Sequence, residues 1–518
     1  MRYDKQTMTQ EQALTILKTG ANVFLTGEPG AGKTHTINQY VKHLREHGIE
    51  PAIAASTGIA ATHIGGMTIH SWSGIGIKRQ LTPYDLDHLA SNEYVNKRMT
   101  RANVLIIDEI SMLSADVLTM VDQATRAVRR VDMPFGGMQV VCVGDFFQLP
   151  PISAPGERPR FAFESRSWEE LRPVICYLHE QHRQDDPAFL AVLSALRSNL
   201  LEESHRAHLL GRSGVHDEEL QGVTRLFPHN VNVDQLNNAE LSRLSSASTK
   251  YQMVGQGKEA LVESLKKGCL SPEDLVLKEG AAVMFTKNNP AAGFANGTLG
   301  TVTGFEKETK YPIVRTHGGE KITAAPMEWA IEEEGKVKAR ISQVPLRLAW
   351  AITVHKSQGM SLDAAVMDLG AAFEYGQGYV ALSRVRRLSG LYLVACNERA
   401  LMVHPEILER DQDFRSESEA AERGFGEMDD ADIKQMHDNF ILSCGGTLEK
   451  KEKETSKLDK IRQKHAKAYA RWTDEEEAEL IGMFEAGQTP AAIAKALGRK
   501  PGAIMMRLVK LGLVEGDL

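Results

Sequence analysis

Residues Gly27-Glu28-Pro29-Gly30-Ala31-Gly32-Lys33-Thr34 satisfy the pattern G-x-x-x-x-G-K-[ST], and no other stretch restricts the fold of this chain as tightly. The pattern needs a buried strand before it and a helix after it, because backbone N–H groups converge on phosphate oxygens where a loop runs into a helix N-terminus. Asn22-Val23-Phe24-Leu25 supplies the apolar run, and Ile37, Tyr40, Val41 and Leu44 recur with helical spacing beyond the loop. The residues therefore predict a nucleoside triphosphate site in which Gly27, Gly30 and Gly32 shape the cradle, Lys33 meets the phosphates and Thr34 faces a magnesium ion. A structural glycine turn is the competing reading, and the strand and helix flanks argue against it.

Short apolar runs alternate with helical patterns around this loop: Ala52-Ile53-Ala54-Ala55, Val104-Leu105-Ile106-Ile107, Val140-Val141-Cys142-Val143 and Val174-Ile175-Cys176-Tyr177. Such alternation predicts a parallel sheet wrapped by helices. A second set, Thr224-Arg225-Leu226-Phe227, Ala365-Val366-Met367-Asp368 and Leu391-Tyr392-Leu393-Val394, predicts another. The expected organisation is α/β: a first domain over 1–198, a second over 199–405, and a small β-barrel-like insertion over 280–344, where β-type runs are broken by Gly, Asn and Pro.

Net charge is −7 over 518 residues, which by itself favours no nucleic-acid partner, but its distribution is uneven. From Asp411 to Asp432 nine acids face two arginines, and from Lys450 to Arg471 nine Lys and Arg face three acids. The plain reading is an acidic linker over 406–449 and a basic arm over 450–471; a merely solvated charged helix is the alternative for the basic part. Five scattered cysteines without C-x-x-C spacing argue against a zinc site and a disulfide framework, and fit a reducing cytosol best. No apolar run approaches membrane-spanning length, so no membrane partner is expected.

Hydrolysis needs carboxylates and further cations beside the loop. Asp108 and Glu109 end an apolar run, which places them at a strand's C-terminal edge, where Asp108 would share magnesium with Thr34 and Glu109 would polarise the attacking water. Gln148, at the end of Val143-Gly144-Asp145-Phe146-Phe147-Gln148, is placed to sense the γ-phosphate. Arg183 and Arg384 are the candidate cations for the charge that develops in phosphoryl transfer, although each alone reads as a surface arginine.

Taken in order, these motifs resemble those of superfamily-one helicases, and most closely the PIF (petite integration frequency) family, related to RecD and Dda. The resemblance runs from about Thr9 to Ala395. Glu11-Gln12 resembles the adenine-reading glutamine motif, Ala55 to Ala61 with Thr68-Ile69-His70-Ser71 the first strand-binding motif, and Gly144-Asp145 to Pro150 the coupling motif. His182-Arg183-Gln184 stands where the family has Phe-Arg-Gln. Thr353 to Ser361, which includes Gly359, and Tyr379 to Arg384 complete the set, and Ile110 to Asp116 is similar to the family's helical signature. The resemblance implies two RecA-like domains with an SH3-like insertion, ATP and Mg²⁺ bound between them with Gln12, Gly27, Gly30, Gly32, Lys33, Thr34 and Gly359 as nucleotide contacts, and Arg384 opposite Lys33. It implies single-stranded DNA and single-strand/duplex junctions as partners, held by Thr57, Gly58, His70, Ser71, Thr353, His355, Lys356 and Ser357. Trp72 reads either as a base-stacking wedge or as one member of a buried aromatic cluster. The implied activity is a 5′→3′ ATP-dependent DNA helicase of replication, recombination, repair or telomere maintenance, associated with the nucleoid in a bacterial cytoplasm. Two rivals remain: an ATPase that remodels other nucleic acid or protein, and a DNA-binding regulator switched by ATP.

Over 472–518, Trp472-Thr473-Asp474-Glu475-Glu476 opens with a capping box, Thr489-Pro490 and Pro501 start further helices, and the third carries Arg507 and Lys510 after Arg499 and Lys500. Three short helices with one tryptophan resemble a Myb-like or helix-turn-helix unit, which implies possible duplex DNA contact, or alternatively a protein-docking bundle whose partner the residues do not identify.

Overall fold

A computed structural model describes residues 8–57, 60–61, 66–76, 78–153, 157–180, 186–214, 223–289, 292–294, 296–333, 336–449, 472, 474–511 and 513–514. The chain forms two compact units, one of residues 1–45 and 49–448, the other of 46–48 and 449–518.

The larger unit starts from a six-stranded parallel sheet of β1 (Val23–Gly27), β2 (Ala52–Ala55), β3 (Met67–Thr68), β4 (Val104–Asp108), β5 (Gln139–Val143) and β6 (Val174–Leu178), in the order β3-β2-β4-β5-β1-β6. Strands β1 and β5 are buried throughout, as central parallel strands covered on both faces must be. Because β1, β5 and β4 are adjacent, the glycine loop, the turn after Val143 and the Asp108-Glu109 pair leave the sheet side by side at its C-terminal edge. Trp72 is buried in this domain's core with Ile69, Ile75, Leu89 and Val95, so the wedge reading of the sequence is corrected: its indole is packing.

A second parallel sheet has the order Ala351–Thr353, Arg225–Phe227, Ala365–Leu369, Leu391–Cys396. The three expected runs form strands; the edge strand Ala351–Thr353 was not expected, and only its last residue falls in a motif the sequence marked. Between Arg225–Phe227 and Ala351–Thr353 stands a β insertion wider than the expected 280–344, with strands from Ser248–Gln252 to Leu346–Leu348. One antiparallel sheet runs Lys321–Thr323, Pro312–Thr316, Leu299–Phe305, Ala282–Phe285, Leu346–Leu348; another runs Met327–Glu333, Lys336–Gln343, Val254–Gly257. Leu275, Leu277, Val283, Phe285, Val302 and Val314 form its core. Its early strand Ser248–Gln252 is mostly solvent-facing and carries little apolar signal, which is why the boundary fell short.

The acidic linker expected over 406–449 is overturned. Pro405–Gly426 and Asp430–Ser443 are helices, and the first lies along β6. Ile407, Phe414, Ser418 and Glu422 are buried on one face of it. Phe414 meets Phe24 of β1 edge-on at 5.2 Å, and Ser418 Oγ accepts from the Tyr177 backbone N–H at 3.0 Å. Asp413, Glu417 and Glu419 occupy the solvent side while Glu422 is buried, so a high charge count coexists with a packed stripe.

In the smaller unit, helices Asp474–Glu485, Pro490–Ala496 and Pro501–Lys510 close over Leu480, Ile493, Leu497, Ile504 and Leu508. Two of the expected surface cations are turned inward: buried Arg499 donates to Glu476 Oε2 at 2.6 Å with its guanidinium 4.0 Å from the Trp472 ring centre, and Arg507 pairs with Glu477. Thr473 and the basic arm over 450–471 lie outside the described residues.

Candidate active site

A cleft of about 1120 Å³ separates the two parallel sheets. Gly30, Gly32, Lys33, Thr34, Asp108, Glu109, Gly144 and Gln148 line one wall; Gly359, Ser361, Asp363, Arg384, Arg386, Arg387 and Tyr392 line the other. The loop opens helix Lys33–Glu46. Gly27 has φ 139°, and a Cβ there would come within 2.4 Å of the Leu178 carbonyl oxygen, so a side chain would break the cradle against β6. Lys33 Nζ donates to the carbonyls of Gly27 and Glu28 at 2.8 and 3.1 Å, which points its ammonium back over the loop. The Thr34 side chain is exposed to the cleft.

Asp108 and Glu109 reach the cleft from its floor while enclosed by protein. Burial, and then the Glu109 charge, push the Asp108 carboxyl up to about 7 against the pull of the Glu109 N–H and Lys33. Burial also raises Glu109, opposed by the charges of Lys33 and Arg384 and by the Gln358 hydrogen bond. Glu109 adopts the left-handed conformation, φ 52° and ψ 48°, a strain held in place by its neighbours: Ser56 Oγ donates to its carbonyl at 2.7 Å, and the Ser56 N–H donates to the Asp108 carbonyl at 3.2 Å. The motif expected to grip a strand is thus bonded directly to the peptide units of Asp108 and Glu109. The residues fit a magnesium ion in the manner of other phosphate-loop sites, with one hydroxyl and one carboxylate and the remaining positions left to phosphate and water; among the described residues no group of three or more His, Cys, Asp or Glu offers an alternative metal site.

Gln358 escaped the sequence reading although it lies in the motif ending at Ser361. Its amide donates to Glu109 Oε2 at 3.0 Å and to Gln148 Oε1 at 3.2 Å, joining the second domain to Glu109 and Gln148 of the first. Arg384 is buried, its Nε donating to the Val380 carbonyl at 2.7 Å and its Nη2 to Ser383 Oγ at 2.6 Å. Arg386 and Arg387, also missed, stand on the cleft wall two and three residues beyond it; adjacency to the arginine motif was the available signal. Arg183 and Gly58 lie outside the described residues. Gln12 is not among the residues lining the cleft: its Oε1 accepts from the Thr9 N–H at 2.8 Å and its Nε2 donates to Glu422 at 3.3 Å, which fixes the amide's polarity from both ends.

The strand-binding candidates divide. Ser71 is exposed at the start of helix Ile69–Ser73, and half-buried His70 beside it is kept neutral at ordinary pH because burial lowers its pKa. On the second domain, burial and then the nearby His229 lower His355, and burial and then Arg347 lower Lys356, whose ammonium is half-exposed. Thr57 Oγ1 accepts from the Ala60 N–H at 3.2 Å. Thr353 and Ser357 are corrected: both are buried, Thr353 Oγ1 accepting from the Lys356 N–H at 3.2 Å and Ser357 Oγ donating to the Val354 carbonyl at 2.7 Å. They build the turn that presents His355 and Lys356, as hydroxyls at helix caps do.

Among the described residues, no helix is long and apolar enough to cross a membrane. The family described as PIF1-like helicase matches residues 4–191, and the one described as DNA helicase Pif1, 2B domain, matches 260–305, within the insertion. An ATP-dependent DNA helicase Pif1 of Psychrobacter is 39% identical over 97% of this chain and 87% of its own length; the human ATP-dependent DNA helicase PIF1 is 36% identical over 78% of this chain and 63% of its own. Among solved structures, Bacteroides Pif1 in complex with ADP-AlF4 superposes with TM-score 0.69 at 30% identity, covering 79% of this chain and 97% of that one.

Proposed function

Because the chain belongs to the family of PIF1-like helicases, we propose that the cleft hydrolyses ATP to move the two α/β domains along single-stranded DNA in the 5′→3′ direction. The chain is an ATP-dependent DNA helicase. The observation that carries the mechanism is Gln358, which reaches from the second domain onto Glu109 and Gln148 of the first. A cleft bridged at that point transmits the nucleotide's state to both domains.

Magnesium held by Thr34 and Asp108 would neutralise phosphate charge. Lys33 leaves the loop carbonyls for phosphate oxygens, Glu109 orients the attacking water, and Arg384 supplies cationic charge from the opposite wall, with Arg183 as a further candidate. Loss of the γ-phosphate removes the charge that draws the walls together, so each turnover closes and opens the cleft. Ser71, His70, Thr57 and Gly58 on one domain and His355 and Lys356 on the other are the alternating grips, polar groups suited to phosphates rather than base edges. Bacteroides Pif1 has been crystallised with single-stranded DNA, and a Pif1 structure at forked duplex DNA is also similar to this chain, which supports strand and junction binding here. Gln12, oriented by Thr9 and Glu422, is the adenine-reading candidate. We assign the insertion to the SH3-like class, and the three terminal helices to the helix-turn-helix or Myb-like class with auxiliary duplex contact, to which Arg499 and Arg507, turned inward, do not contribute. A bacterial cytoplasm, at the nucleoid, in repair or recombination fits the bacterial relatives.

Strand displacement from 5′-tailed and 3′-tailed duplexes tests the reading. Displacement of the 5′-tailed substrate is expected. Unwinding only the 3′-tailed one refutes the direction, and DNA-stimulated ATPase without displacement of either favours a remodelling ATPase or a regulator.

A further inference from the structure

Arg197 ends the helix Pro187–Arg197 and is 2% exposed, outside every motif named above. Its Nη1 donates to both oxygens of Asp145 at 2.7 Å and to Tyr379 Oη at 3.0 Å, and its Nη2 donates to Tyr177 Oη at 2.6 Å. The guanidinium lies 4.1 Å from the centre of the Phe147 ring. Both ends of this network lead to the cleft. Asp145 shapes the turn after β5: its carboxylate accepts from the Phe147 N–H at 3.2 Å and its carbonyl from the Gln148 N–H at 3.0 Å. Tyr379 stands on helix Gln377–Leu382, whose Val380 carbonyl holds Arg384 Nε at 2.7 Å. Gly376, just before that helix, sits so close to the turn that a Cβ would meet the Phe147 and Gln148 carbonyl oxygens at 2.6 and 2.8 Å.

The other end of the Arg197 helix is tied to the second domain as well. Asp186 Oδ1 accepts from the N–H groups of Ala188 and Phe189 at 3.1 and 3.2 Å, and its Oδ2 from the Leu388 N–H at 3.0 Å, next to Arg387. Burial raises the Tyr379 phenol well above its ordinary range, so it stays protonated and donates to Asp145 Oδ2 at 3.4 Å.

We propose that Arg197 is a positioning residue that ties the turn carrying Gln148 to the helix delivering Arg384, so that γ-phosphate sensing on one wall and cation delivery from the other change together. Only a planar fork of donors meets a carboxylate and two phenols at once; a lysine in the same place keeps the charge but loses the geometry. A buried carboxylate and guanidinium hold one another in register, since either alone would be an uncompensated charge. The proposal rests on the roles given above to Gln148 and Arg384.

The test uses the full chain with the variants Arg197→Lys, Tyr379→Phe, Gln148→Ala and the double variant Tyr379→Phe/Gln148→Ala. Melting temperature, affinity for a fluorescent ADP analogue, and KM and kcat of ATP hydrolysis with single-stranded DNA are measured. Tyr379→Phe loses only a hydroxyl, so it serves even if Arg197→Lys folds poorly. Expected are KM and ADP affinity within about twofold of the parent, a kcat lowered about tenfold in each single variant, and a double variant no slower than its slower parent by more than about twofold. A kcat near that of the parent protein in Arg197→Lys and Tyr379→Phe, beside a crippled Gln148→Ala, would overturn the coupling alone, as would multiplicative losses in the double variant. Undiminished kcat in Gln148→Ala would refute the role of Gln148 and the coupling with it.

Discussion

The nucleotide cleft and the helix Pro405–Gly426 lie within the same unit, yet they speak through the sequence very differently. At the cleft the chemistry is local: a loop of eight residues, a carboxylate pair closing a strand, and an arginine after a short helix, each placed by its own neighbours. The helix depends on distant partners. Its buried residues, Ile407, Phe414, Ser418 and Glu422, include only two apolar side chains, and they are buried because β1 and β6 stand underneath. Charge counts averaged around a helix conceal a one-sided stripe. One region therefore carries function with little claim on stability, and the other carries stability with no claim on the reacting atoms.

Substitutions should separate the two. Lys33→Ala and Glu109→Gln should reduce ATP hydrolysis by about 10³-fold or more if, as proposed, Lys33 supplies the cation on the phosphates and Glu109 the carboxylate that orients water. Melting temperature and single-strand affinity by fluorescence anisotropy should stay near those of the parent protein. Substantial turnover in either variant would break the assignment of the cleft.

Phe414→Ala should do the reverse. Its ring meets Phe24 at 5.2 Å and Phe163 at 5.9 Å, and it stacks on Phe146 at 6.0 Å. Truncation should lower stability by about 3–5 kcal/mol, as for other buried aromatics, while KM for ATP on the folded fraction stays unchanged. Denaturant unfolding beside that of Lys33→Ala measures the contrast; a Phe414→Ala protein as stable as its parent would mean that the acidic segment is the linker its composition suggests.

How far the residues alone disclose the molecule follows the same division. Most sheet strands were legible because four- and five-residue apolar runs between helical patterns have few other uses, and the place of Asp108 and Glu109 on the cleft wall because they close such a run. Gln358 was not, since a glutamine in a turn acquires meaning only when another domain brings Glu109 within 3.0 Å. Thr353 and Ser357 misled because a hydroxyl that caps a helix and one that meets a phosphate are the same residue in sequence. Arg499 and Arg507 misled likewise: a cation counted toward nucleic acid is spent when an acid and an indole fold over it.

A smaller effect sharpens the contrast from inside the cleft, where function is paid for in stability. The Asp108 carboxyl is pushed up to about 7 by burial and by the Glu109 charge, above its value in an unfolded chain. The folded state therefore favours the protonated acid. Relative to an amide at the same place, that advantage is complete below about pH 4, the ordinary value of an aspartate, and is lost as pH rises through 7, where folding has to bury the anion. Asp108→Asn preserves an acceptor for the Glu109 N–H, which now bonds Oδ1 at 2.9 Å, while removing the charge. In nucleotide-free and magnesium-free buffer the variant should gain on the order of 2–3 kcal/mol over its parent between pH 5 and pH 8. Melting curves at pH 5, 6.5 and 8 read the difference, and parallel pH profiles for the two proteins would show that the carboxylate is not strained. Mg²⁺ with ADP should invert the order at pH 8, because the ion stabilises the anion that the empty fold disfavours and an amide offers it no charge.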